Sequence, residues 1–183
     1  EDKLAEEATS NNLNMEDILE PSGGYRMLAL STPHATVNST LPLPDSNAVI
    51  LTPDEKYAFV SQREGGVVIV DIQDPNVIRP IATISSPLVS GLALSANANT
   101  LFICDNIDGL VIYDVTIRNA PVFKSKLALT SIAKVALNPT KSIAHVVANP
   151  GLVNVDISNL SNPTIVGTRS WSGGFGQIAI SPN

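Results

Sequence analysis

The chain has 183 residues, 44% of them apolar, with a formal net charge of −6, enough for one domain with a substantial core. Its longest apolar runs are strand-sized, which excludes a transmembrane helix. Residues 1–23 hold seven acids (Glu1, Asp2, Glu6, Glu7, Glu16, Asp17, Glu20) against Lys3, so the other 160 residues are balanced at ten acids and ten bases. That balance, without a basic cluster, argues against a nucleic-acid partner.

Taken in order, residues 1–23 read as an acidic, polar segment, extended or with a short helix around Met15–Leu19 that Pro21 and the Gly23-Gly24 pair would end. The absence of an initiator Met and of an apolar leader fits either a processed N-terminus or a trimmed chain. From Gly24 onward the sequence repeats. Gly66-Val67-Val68-Ile69-Val70-Asp71 recurs as Gly109-Leu110-Val111-Ile112-Tyr113-Asp114 and as Gly151-Leu152-Val153-Asn154-Val155-Asp156, at spacings of 43 and 42 residues. A second ladder, Leu51, Leu94, Leu137 and Ile180, runs in step at 43.

A fixed period in the forties with several short strands per unit marks a β-propeller blade. The expected fold is therefore all-β, a partial propeller of about three complete four-stranded blades. Residues 24–46 form a partial blade of two outer strands, 24–30 and 36–41. Complete units follow at 47–88, 89–130 and 131–172, then a partial one at 173–183 with its inner strand at 177–180. Within a unit, an inner strand (48–51, 91–94, 134–137) leads through a polar turn to a second strand (57–61, 100–104, 143–147). A glycine turn opens the third strand, and the fourth follows a proline (80–84, 121–127, 163–167). Val67–Val70 is apolar at every position. A strand with one wet face would alternate, so this run predicts burial on both faces, as between neighbouring blades. Asn154 breaks that run in the third copy and predicts a more exposed interface there.

At these residues the chain resembles the LVIVD repeat family, through Val68-Ile69-Val70-Asp71, Leu110-Val111-Ile112-Tyr113-Asp114 and the stretch Asp156–Gly167. Thr52-Pro53-Asp54 and Ser181-Pro182-Asn183 are similar to the serine-proline-aspartate turn of related surface-protein repeats. The pattern departs at Ala29, at Asn154 and in the longer connection Gln73–Arg79. The resemblance covers about residue 24 to the end. It implies a propeller, an extracellular, cell-surface or periplasmic location, and no catalytic residues to carry over.

The structural repeat positions are Gly66, Gly109 and Gly151 at the turns and Asp71, Asp114 and Asp156 at the strand ends. Each aspartate is placed to accept N–H groups of the following residues in an Asx turn. No catalytic or cofactor-binding residue is assigned. His34 reads as a loop residue and His145 as a packed or edge residue. Ser172–Gly176 is glycine-rich but precedes no helix, so it reads as an inter-blade crossing rather than a phosphate loop. Asp105 and Asp108, in Asp105-Asn106-Ile107-Asp108-Gly109, are the weak metal candidates, with hard oxygens in a turn that would suit calcium. Cys104 is the single cysteine, which excludes an internal disulfide, and it reads as a small packed hydrophobe. Asn38 and Asn159 stand in glycosylation sequons.

The function expected from this pattern is a non-enzymatic interaction or scaffold module of a secreted or cell-surface protein, binding a protein or glycan partner or joining an assembly. The competing reading is part of a propeller enzyme, a lactonase-like hydrolase or an oxidoreductase subunit. Against it, the inner strands begin at Ala48, Gly91, Lys134 and Gln177, poor material for a metal site. The count of strands falls short of a closed ring, so the chain is expected to be part of a longer propeller or to be completed by a partner.

Overall fold

The computed structural model describes residues 37–171 and 178. The chain divides into two compact units, residues 1–38 and 39–183. The expected short helix, the outer strand at 24–30, His34, the crossing at 172–176 and, apart from Ile178, the inner strand at 177–180 lie outside the described residues.

The second unit holds three four-stranded antiparallel sheets, each a meander in chain order. Blade 1 is β1 (Ser46–Leu51), β2 (Tyr57–Gln62), β3 (Gly66–Asp71) and β4 (Arg79–Ile84). Blade 2 is β5 (Val89–Leu94), β6 (Thr100–Asp105), β7 (Gly109–Asp114) and β8 (Val122–Leu127). Blade 3 is β9 (Thr130–Leu137), β10 (Ile143–Asn149), β11 (Gly151–Asp156) and β12 (Thr164–Ser170). The inner strands β1, β5 and β9 lie side by side. No helix among the described residues is long and apolar enough to cross a membrane.

Residues 37–43 form no strand, which corrects the outer strand expected through residue 41. Pro42 and Pro44 lack the N–H that a ladder needs. Leu41 and Leu43 instead pack against Ala58, Val68 and Val70 of blade 1. The other face of the same blade, with Phe59, Val67 and Ile69, packs on Leu101, Ile103 and Val111 of blade 2. So β3 is buried at all six positions, as its unbroken apolar run requires. Blade 2 repeats the arrangement toward blade 3, where Phe102, Leu110 and Ile112 meet Val146, Val153 and Val155.

Every blade carries a bulge at the same rung of its outer pair: Ile81, Lys124 and Val166 are each left without an opposite residue. Asn47 and Ser90 are bulged at matching places on the inner strands. A bulge re-aims a side chain out of the pleat. Here Asn47 Nδ2 donates to the Val89 carbonyl at 2.9 Å and Ser90 Oγ to the Ile132 carbonyl at 2.5 Å, each reaching the next blade. A hydrogen bond nets about 1 kcal/mol, against about 1.5–3 kcal/mol for each large apolar side chain buried. The apolar clusters therefore hold the blades together, and these polar latches set their alignment.

Candidate functional site

The repeat glycines are placed by sterics. Gly66 and Gly109 have φ of 82° and 87°, where a Cβ is disfavoured. A Cβ on Gly151 would stand 2.1 Å from the Arg169 carbonyl oxygen, so close approach of β12 requires glycine there.

The three aspartates follow at the far ends of the same strands. Asp71 Oδ1 accepts the Gln73 N–H at 3.1 Å, Asp114 Oδ1 the Thr116 N–H at 3.0 Å, and Asp156 Oδ1 the Ser158 N–H at 2.8 Å. The Gln73 and Ser158 N–H groups hold Asp71 and Asp156 below the usual carboxylate range, and the Thr116 hydroxyl, with the Thr116 N–H and Lys124, holds Asp114 at about 2. Arg79 and Lys124 pair with Asp71 and Asp114. Asp156 has no such cation among the described residues, because Thr164 and Val166 stand where Arg79 and Lys124 do. Asn159 Oδ1 closes a similar turn by accepting the Ser161 N–H at 3.0 Å.

The two metal candidates are already engaged with the protein. Asp105 is fully buried. Its Oδ2 accepts from Ser86 Oγ at 2.5 Å and the Leu88 N–H at 2.9 Å, and its Oδ1 from the N–H groups of Ile107 (2.8 Å) and Asp108 (2.9 Å). Burial pushes this carboxyl up, but the hydrogen bonds from Ser86, Leu88, Asp108 and Ile107 outweigh it and hold the group below the ordinary range. Asp108 binds Lys126 Nζ at 2.6 Å. Four donors occupy the lone pairs that calcium would need. Asp105 therefore ties the crossing from blade 1, through Ser86 and Leu88, to the β6–β7 turn.

His145 and Asn154 face each other across β10 and β11, and the ring Nδ1 meets the Asn154 amide oxygen at 2.8 Å. The polar break in β11 thus has its partner one strand away. Cys104 has no exposure and packs among the apolar residues between blades 2 and 3. Burial pushes its thiol far up, only slightly opposed by the charge of Lys134. The native protein is expected to leave Ellman's reagent unreacted over an hour and to release one equivalent of thiolate in denaturant; prompt native labelling would contradict this packing.

The ends of the blades that carry the β1–β2, β5–β6 and β9–β10 turns differ from copy to copy. Between blades 1 and 2, Arg118 from the β7–β8 loop lies over Tyr57 and Phe59, its guanidinium carbon 5.6 and 5.9 Å from their ring centres. Its Nη1 donates to the carbonyls of Ala98, at 2.6 Å, and Val115. Between blades 2 and 3 the equivalents of Tyr57 and Arg118 are Thr100 and Leu160. The turn also changes. Glu55 and Ala98 are left-handed (φ 56° and 57°), whereas the third turn is closed by Asn138 Oδ1, which accepts from the N–H groups of Thr140 and Lys141. A groove of about 430 Å³ results, walled by Leu94, Leu137, Ile157 and Leu160, with Thr100 and Lys141 among its polar lining. Sequence reasoning passed over it, although the Tyr57–Thr100 exchange at equal phase was the available signal.

Three consecutive meander blades packed face to face through their third strands make this a β-propeller protein. Residues 52–78 and 144–169 each match the LVIVD repeat, so the chain carries LVIVD repeats in two of its three described blades. Similar solved structures are propellers at low identity. The Pseudomonas aeruginosa periplasmic gluconolactonase PpgL is 17% identical, with a TM-score of 0.56 over 72% of this chain and 39% of that one. The Myceliophteria thermophila Cps50 (Swd1) β-propeller domain is 15% identical, with a TM-score of 0.56 over 69% and 40%. Hydrazine synthase of Kuenenia stuttgartiensis is 14% identical, with a TM-score of 0.55 over 69% and 36%. The alignments thus span well under half of each of these structures, and they speak for the fold alone. No curated protein matches the chain in sequence.

Proposed function

We propose that the chain is a non-enzymatic interaction module of a secreted or cell-surface protein, binding a protein partner at the blade ends. The observation that supports this is the groove between blades 2 and 3, in a place that Arg118 and Tyr57 fill one blade earlier. Its volume and its lining, in which leucines 94, 137 and 160 stand beside polar groups from Ser95, Thr100 and Asn138, suit recognition of a small protruding group. Exposed apolar side chains on the outer strands, Phe123 (51% exposed) and Val166 (58%), add surface for an assembly contact.

The enzyme reading rests on the gluconolactonase among the similar structures, and a direct assay separates the two. The purified chain is incubated with glucono-δ-lactone in a pH-stat, and in parallel is applied to arrays of peptides and glycans. Peptide binding without hydrolysis above background is the expected result. Turnover of the lactone would sink the proposal.

A further inference from the structure

The groove has a chemically specific vacancy. In the interface between blades 1 and 2 a ring and a cation are stacked: Tyr57 below and Arg118 above, 5.6 Å apart. One repeat later Thr100 replaces the ring, and the walls are the leucines 94, 137 and 160 with Ile157. Leu160 stands in the place of Arg118, and a different cation comes from the β9–β10 turn. Lys141 lines the groove, is exposed, and pairs with no carboxylate among the described residues. Phe102 at the floor is only 1% exposed, so the protein's own ring offers no usable face. What the place lacks is an aromatic ring between aliphatic walls and an ammonium group.

We infer that the groove takes an aromatic side chain, a tyrosine or phenylalanine presented by a partner protein, with its ring on the leucine walls and its face toward Lys141. This deepens the interaction-module reading and rests on it. The energetics favour a ring over the alternatives. An aromatic side chain offers a large apolar area at little entropic cost and adds a cation–π contact. A leucine gains only the walls, a sugar only the polar rim, and an arginine meets the like charge of Lys141. Anchors of this kind, set in a small pocket, carry much of the energy of protein interfaces.

The test is a titration of the isotope-labelled chain with N-acetyl-tyrosinamide, followed by amide chemical shifts. Shifts should centre on Thr100, Leu137, Lys141 and Leu160, with a dissociation constant on the order of 1 mM for so small a probe. Lys141→Ala, at an exposed position that the fold does not need, should weaken binding about fivefold by removing the cation. Thr100→Tyr, which supplies the missing ring internally, should abolish it. Should that variant fail to fold, the Lys141→Ala comparison still decides. Equal binding of N-acetyl-leucinamide, with no effect of Lys141→Ala, would overturn the aromatic assignment and leave the interaction module standing. Shifts in these residues with N-acetylglucosamine alone would overturn it in favour of a glycan. Silence of the groove to every probe would also overturn it, and lactone hydrolysis would remove the interaction module as well.

Discussion

Asp105→Ala should lower the stability of the chain by about 3–5 kcal/mol, because it strands four donors in a buried place. Those donors are Ser86 Oγ and the N–H groups of Leu88, Ile107 and Asp108. In a chain of this size the loss corresponds to a fall in melting temperature on the order of 10 °C. Asp105→Asn should recover part of it, since one amide oxygen can still accept while the amide nitrogen faces further donors. The acid response gives a second check. The folded carboxyl titrates below its ordinary value of 3.8, so its contribution is complete above that value and is lost as the pH falls through the lower, folded one. The stability gap between wild type and Asp105→Asn should therefore be widest near neutral pH and close on acidification. A gap independent of pH, measured by urea unfolding at each pH, would show that the charge does not matter to the latch.

Gly109→Ala should cost about 3 kcal/mol, and Gly167→Ala should be nearly neutral. The contrast separates backbone need from mere repetition. Gly109 has φ of 87°, and a Cβ there would lie 2.2 Å from the Leu127 carbonyl oxygen and 2.6 Å from the Leu129 nitrogen, both fixed backbone atoms. Gly167 offers its Cβ ordinary contact, 3.7 Å from the Asn154 amide nitrogen. Thermal melts followed by circular dichroism would read both. Equal effects at the two positions would mean that the close approach of Leu127 to the β6–β7 turn is relieved at little cost.

The strands were legible because their signals are local. A period of 43, the unbroken apolar run Val67–Val70 and a glycine before each third strand suffice to order twelve strands into blades. The Asx turns at Asp71, Asp114 and Asp156 were legible for the same reason, since donor and acceptor lie two residues apart. Asp105 was harder to read. Asp-Asn-Ile-Asp-Gly looks the same to calcium as to a set of N–H groups, and the deciding hydroxyl, Ser86, comes from the preceding crossing. The bulges at Ile81, Lys124 and Val166 share no compositional mark: Pro80 precedes the first and Gly167 follows the third, but Phe123 and Ser125 flank the second. His145 and Asn154 each read as an oddity until register set them opposite one another, and then the pair accounts for both. The groove needed a comparison between copies, because its cause is the substitution of small residues at positions unremarkable by themselves.

The recurrence of one bulge at one rung has a consequence for how such a chain can grow. Bulge and twist travel together, so each sheet leaves its neighbour the same wedge to meet. A repeat of 43 residues can then be copied or removed from any starting phase without re-cutting the remaining interfaces. What sets one copy apart, such as Thr100 for Tyr57, changes the surface at the blade end while the bulge keeps its rung. Repetition supplies the scaffold, and exchanges at a blade end alter the groove beside it.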